Sequence, residues 1–189
     1  MTVVCIAGMH RSGTSMVARL LNLCGLYLGE DEDLMRKAAD NPEGFWENLH
    51  FVDINEKILD ALQGGWDIPP AVPPSWESSA LFDQFRHEAA QLIKAMEDHT
   101  AWGWKDPCNS LTLPFWQDLI PDVKVVVCLR HPHEVALSLA QRGSSSVAFA
   151  ARLWYAYTER LLAAVPQHIR IITHYNAFFY DGEIGRAYV

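Results

Sequence analysis

Apolar positions along the chain follow two alternating rhythms. The uninterrupted runs TVVCIA (2–7) and VKVVVCL (123–129) are β-branched and almost free of charge, which predicts strands buried on both faces. Elsewhere the spacing shifts to three and four residues. Met16, Val17, Leu20, Leu21, Leu23 and Cys24 predict a helix over 13–25, which Gly25 can close. Phe51, Ile54, Ile58, Leu59 and Leu62 predict a second over 48–62, and Leu81, Phe82, Phe85, Ala89, Leu92, Ile93 and Met96 a third over 79–98. AWGWK before Asp106 and Pro107 reads as a short strand, and LTLPFWQDLI (111–120) as a short helix. Two more helices are predicted over 133–142, opened by Pro132, and 147–164, and HIRIIT (168–173) reads as the last strand.

Strands that alternate with helices predict an α/β domain in three layers, a central parallel sheet covered on both faces and joined by right-handed crossovers. Ligands of such sheets sit outside the carboxyl ends of the strands. That rule selects GMHRSGTS (8–15), WKDP (104–107) and LRHP (129–132), each with a basic residue. The segment GGWDIPPAVPPSWESS holds four prolines and two tryptophans, predicting an exposed loop or lid over 64–78 within a single domain spanning 1–189.

Composition narrows the ligand. The chain has 189 residues, half of them apolar, enough for one substantial core, and its net charge of −8 argues against a nucleic-acid partner. An anion would have to be caught by a few placed side chains. Cys5, Cys24, Cys108 and Cys128 form no CxxC pair and are expected as buried free thiols in a reducing compartment. His131-Pro-His133 is the one close histidine pair, too little for a zinc site, and no metal is expected. No apolar run approaches the roughly 20 residues of a membrane span, so a cytoplasmic location is expected.

GMHRSGTS carries the most chemistry. Glycines let a backbone approach an anion, successive N–H groups point at it, and the N-terminus of the following helix adds partial positive charge. In nucleoside-triphosphate loops a lysine follows the second glycine; here Thr14 stands there. Arg11 can clamp a compact anion bidentately, with His10, Ser12, Gly13, Thr14 and Ser15 completing the loop. An ordinary β-to-α turn, an ATP-dependent small-molecule kinase and a non-catalytic binding module that keeps the loop as scaffold remain open alternatives.

The strand followed by RSGTS resembles the 5′-phosphosulfate loop of sulfotransferases that use 3′-phosphoadenosine-5′-phosphosulfate (PAPS), which read P-K/R-S/T-G-T-T/S. The resemblance implies a P-loop-type fold related to nucleotide kinases, with neither the triphosphate lysine nor magnesium. In that family an arginine at the end of a central strand and a serine eight residues later bind the 3′-phosphate, which implies these roles for Arg130 and Ser138 in KVVVCLRHPHEVALS. Lys105 in WGWKDP matches a lysine placed near the transferred sulfate, in a form similar to the carbohydrate and tyrosyl-protein branches. Pro107 stands where cytosolic members have a basic histidine, and Met16 where they have an adenine-stacking tryptophan. Their later glycine-rich RKG segment is absent, and the chain ends in GEIGRAYV.

The base is then sought in NPEGFWEN (41–48), similar to a stretch of bacterial carbohydrate-type members. Glu47 is preferred to Glu43, because Phe45 and Trp46 would desolvate it and raise its pKa, with Asp106 and His50 as weaker candidates; a helix N-terminal carboxylate stabilised by the dipole is the open alternative for Glu47. Arg11 and Lys105 would stabilise the transferring group. The acceptor would be a carbohydrate or other small molecule; tryptophans at 46, 66, 76, 102 and 104 would suit sugar faces or aromatic acceptors, and could as readily be core.

Overall fold

The run TVVCIA becomes β1 (Thr2–Ala7), and its lack of any polar face is explained by its neighbours. In the computed structural model, which describes residues 1–38, 41–141, 143 and 146–179, β1 lies between β2 (Ala101–Lys105) and β3 (Lys124–Leu129). β4 (Arg170–His174) pairs beyond β3, giving the order β2-β1-β3-β4 among the described residues, with every pairing parallel. Successive side chains leave a strand on opposite faces, so β1 and β3 serve two cores at once. Val3, Cys5, Ala7, Val125 and Val127 pack with residues of α2 (Leu49–Ala61), α4 (Asn109–Leu119) and α6 (Val147–Ala164). Ile6 and Cys128 pack against α1 (Thr14–Leu23) through Val17 and Ala18. The sheet is thus the middle of three layers.

α3 (Asp83–Met96) lies against α2, and α5 (Pro132–Gln141) against α6. From β1 the chain runs out to β2, then crosses back past β1 to β3 and on to β4. The direction of winding therefore reverses beside β1, which opens a crevice at the carboxyl ends of the central strands.

Most elements lie within two or three residues of their predicted bounds. The third helix departs further. Only 83–96 is α-helical; Trp76–Ser78 and Ala80–Phe82 form separate 3₁₀ turns, which draw Trp76 and Phe82 into edge-to-face contact at 5.2 Å within the core. The expected exposed loop over 64–78 is therefore anchored at its far end, with Trp76 buried. Nearer its start, the Trp66 carbonyl accepts a hydrogen bond from the Tyr157 hydroxyl at 2.6 Å.

Trp102 and Trp104 are also buried, which selects the core over the acceptor platform, the two readings their pattern allows. Phe51 of α2 stacks on Trp104 at 5.0 Å and meets Trp116 at 5.2 Å, so these rings fill the space between the sheet and the helices. Among the tryptophans named as platforms, Trp46 and Trp66 keep substantial exposure. Cys5, Cys108 and Cys128 are buried free thiols as expected, whereas Cys24 is exposed at the end of α1. Among the described residues no helix is long and apolar enough to cross a membrane. The C-terminal GEIGRAYV lies outside the described residues.

Candidate functional site

The loop after β1 is built by two left-handed residues. Arg11 has φ 69° and Gly13 φ 88°, and the Ser12 N–H bonds the Met9 carbonyl at 3.0 Å to close the turn. A Cβ on Gly13 would lie 2.5 Å from the ring of Tyr175, so both conformation and space require glycine there. Gly13 also caps α1, and it contributes no side chain to the helix's first N–H groups. Those donors are left for a ligand, as an anion-binding helix start requires. The Ser12 hydroxyl, buried and without a hydrogen-bond partner among the described residues, is a further unmet polar group in the same loop.

Around this loop lies a cleft of about 200 Å³ to which every described strand delivers residues at its carboxyl end. Lys105 ends β2 and Pro107 follows it, Arg130 follows β3 and Tyr175 follows β4. Met16 lines the cleft as well, in the place the sequence comparison left without an adenine contact. In a chain of net charge −8, three cations, Arg11, Lys105 and Arg130, converge here.

One end of the cleft is an arginine cluster. The Arg11 Nε donates to Ser138 Oγ at 2.9 Å, and Arg130 Nη1 donates to the Arg11 carbonyl at 3.2 Å. Burial, and next the Arg130 guanidinium beside it, lower the pKa of Arg11 from its ordinary value. Arg130 lies 4.2 Å from the Tyr175 ring centroid and donates from Nε to Glu134 at 2.8 Å; Glu134 also accepts from Asn176 at 3.0 Å. The eight-residue spacing read from the sequence thus brings Arg130 and Ser138 onto the same partner, Arg11. The Arg11 guanidinium, expected beside Lys105 at the transferring group, is instead held by Ser138 in this cluster, a correction that leaves its backbone alone in the loop.

The other end is built on Lys105. Its ammonium is buried, forms a close ion pair with Glu47 and donates to Ser15 Oγ at 3.3 Å. Asn41 reaches the same Ser15 hydroxyl at 3.4 Å. Glu47 is held immediately ahead of Asn48, whose side chain caps α2 by accepting the His50 N–H at 3.0 Å. The expected setting for Glu47, a carboxylate desolvated by neighbouring rings, is therefore corrected. Phe45 does border the cleft, but the partner of the carboxylate is a buried ammonium. Glu43 instead pairs with Arg19 on an exposed surface, and His50 is exposed and bonded to Asp33 at 3.2 Å.

His10 also lines the cleft, and its ring meets Trp66 edge-on at 5.1 Å and Tyr157 at 5.9 Å. The 64–78 loop is thereby joined to the first loop. Tyr175 and Asn41 are site residues that pattern reading passed over. Tyr175 stands at a strand end, the position that singled out Lys105 and Arg130, but brings no charge. Asn41 stands inside NPEGFWEN, where its uncharged amide gives less chemical signal than the neighbouring carboxylates.

Asp106, next to Lys105, is the carboxyl group with the most altered acidity. Burial, and next the charge of Glu47, raise its pKa to about 6, against opposing hydrogen bonds from Asn55 at 2.7 Å and the Cys108 N–H at 2.8 Å. A folded-state value above the unfolded 3.8 means that its stabilising contribution is complete below 3.8 and is lost as the pH rises through about 6. Urea-unfolding midpoints measured across that window are expected to fall with rising pH more steeply for the wild type than for Asp106→Asn; equal slopes would contradict the assignment.

Comparison with known proteins agrees with this geometry. No curated protein matches the chain closely enough to count as a relative. The sequence model of a sulfotransferase family matches residues 4–177, which takes in the loop, Lys105, Arg130 and Tyr175. With a match that runs from β1 to the turn after β4, the chain belongs to the sulfotransferase family.

Proposed function

We propose that the protein transfers a sulfuryl group from PAPS to a hydroxyl group of a carbohydrate or other small-molecule acceptor. The observation that carries this reading is the pairing of two basic ends on one cleft, Arg11–Ser138–Arg130 and Lys105–Ser15, on either side of a glycine loop with unfilled donors. PAPS has two separated anionic groups, and it brings the activated sulfuryl group on its 5′-phosphate. Arg130 and Ser138, with Arg11, would hold the 3′-phosphate. The loop N–H groups, Ser12, Thr14, Ser15 and Lys105 would face the phosphosulfate, and His10 would border it.

Each residue then has a physical task. Lys105, buried and fixed by Ser15, offers a full positive charge where negative charge develops, in a place where water screens it little. Glu47, already against Lys105, is the carboxylate in the cleft able to take the acceptor's proton. Arg11 links both ends through its backbone and side chain. The kinase alternative is disfavoured by Thr14, buried at the position where a triphosphate loop needs its lysine.

Calorimetry with 3′-phosphoadenosine-5′-phosphate and with ATP–magnesium tests the donor. The first is expected to bind, and Arg130→Ala to weaken it about 10- to 100-fold, the worth of a hydrogen bond to a charged group. Binding of ATP–magnesium alone would overturn the reading. For the base, transfer of labelled sulfate from PAPS to a panel of hydroxyl acceptors is expected to fall by about 10²-fold or more in Glu47→Gln. Full turnover in that variant would remove Glu47 from the role.

A further inference from the structure

Glu47 and Lys105 come from different elements, and their meeting needs something to hold the two in register. The residues on both sides of Lys105 enter one buried hydrogen-bond network centred on Asn55 of α2. Asn55 Nδ2 donates to Asp106 Oδ2 at 2.7 Å and to Asn109 Oδ1 at 2.9 Å. Asn55 Oδ1 accepts from Thr112 Oγ1 at 2.7 Å and from Trp116 Nε1 at 2.8 Å. Both donors and both acceptor sites of this amide are used, which is what allows a fully buried asparagine in an aromatic core. Trp104 Nε1 donates to the same Asn109 oxygen at 3.0 Å, so Trp104 and Asp106, the two neighbours of Lys105, are both fixed.

The network continues into the first loop. Asn109 Nδ2 donates to the Ile6 carbonyl at 3.2 Å, and the Gly8 N–H donates to Ser110 Oγ at 3.1 Å. On its other side Asn55 belongs to the helix that Glu47 directly precedes through the cap Asn48. One side chain thus ties together the helix behind the carboxylate, the strand end behind the ammonium and the start of the anion-facing loop.

We propose that Asn55 is a positioning residue for sulfuryl transfer, setting the register of Glu47, Lys105 and the first loop through Asp106 and Asn109 without itself touching a ligand. In its activity arm this rests on the PAPS reading given above. A residue that merely glued α2 to α4 would lower stability but leave the rate per folded site, and the coupling between Glu47 and Lys105, unchanged.

Asn55→Asp keeps the oxygen that Thr112 and Trp116 need and sets a carboxylate against both Asp106 and the Asn109 oxygen. In the double variant Asn55→Asp/Asp106→Asn, donor and acceptor exchange sides across the 55–106 contact and that bond is restored, while Asn109 Oδ1 keeps the Trp104 N–H. Breakdown of PAPS to 3′-phosphoadenosine-5′-phosphate and sulfate, with water as acceptor, is followed per site that binds 3′-phosphoadenosine-5′-phosphate by calorimetry. The expected result is a rate per bound nucleotide lower by on the order of 100-fold in Asn55→Asp, the scale of an ångström-sized misplacement, and a substantial recovery in the double variant. An unchanged rate, or a double variant no better than the single, would overturn the proposal.

A second measurement needs no donor. The non-additivity of Glu47→Gln and Lys105→Met in urea midpoints is expected in the Asn55 background and lost with Asn55→Asp; its persistence would overturn the proposal. If the wild type fails to bind 3′-phosphoadenosine-5′-phosphate, the PAPS reading falls and this cycle alone decides the role of Asn55. Should Asn55→Asp not fold, Asp106→Ala, which leaves Asn55 Nδ2 without that acceptor, carries the second measurement, with loss of the Glu47–Lys105 coupling expected and its retention contradictory.

Discussion

A lysine ammonium buried at the end of a parallel strand is the constraint around which this cleft is organised. Removing such a charge from water costs several kcal/mol unless a partner and hydrogen bonds replace the solvent. Glu47 and Ser15 supply them, and each comes from a different part of the chain. Satisfying Lys105 therefore folds the segment before α2 over the carboxyl end of the sheet and brings the start of α1 against it. The positions of Asn41 and Phe45 along the cleft are consequences of the same closure.

The second organising feature is the pair of arginines at the other end. Two guanidinium groups near one another repel, and here they are separated by function: Arg11 turns to Ser138, while Arg130 is held by Glu134 and lies on Tyr175. That arrangement keeps both cations beside the loop in the absence of any anion. It also explains how an acidic protein can offer an anion site, since local carboxylates hold the cations in place until an anion shares them. A donor with a 3′-phosphate and a 5′-phosphosulfate matches two separated basic ends better than a linear triphosphate does.

Much of this was legible because it is encoded locally. TVVCIA followed by GMHRSGTS carries strand, turn and helix start within fifteen residues, and Arg130 with Ser138 lies on one strand end and the helix after it. The predicted third helix began too early because periodicity cannot show that Trp76 and Phe82 are needed in the core, which tightens the chain into 3₁₀ turns. The tryptophans are undecided in the sequence for the same reason: a ring's apolar face suits a sugar and a core equally, and only tertiary packing assigns Trp102 and Trp104 to the latter. Asn55 gave no sign at all, because its partners stand 51 to 61 residues away. Glu47 stands out through the family-like stretch NPEGFWEN, and over Glu43 through its neighbours Phe45 and Trp46, whereas its decisive contact, Lys105, lies 58 residues along the chain.

In the proposed function the two basic ends of one cleft have distinct duties, which a crystal structure with bound 3′-phosphoadenosine-5′-phosphate would show. The 3′-phosphate is expected against Arg130 and Ser138, with Arg11 adjoining, and the 5′-phosphate on the loop N–H groups facing Lys105. A nucleotide bound in the opposite sense, or outside the cleft between Lys105 and Arg130, would contradict that division of duties.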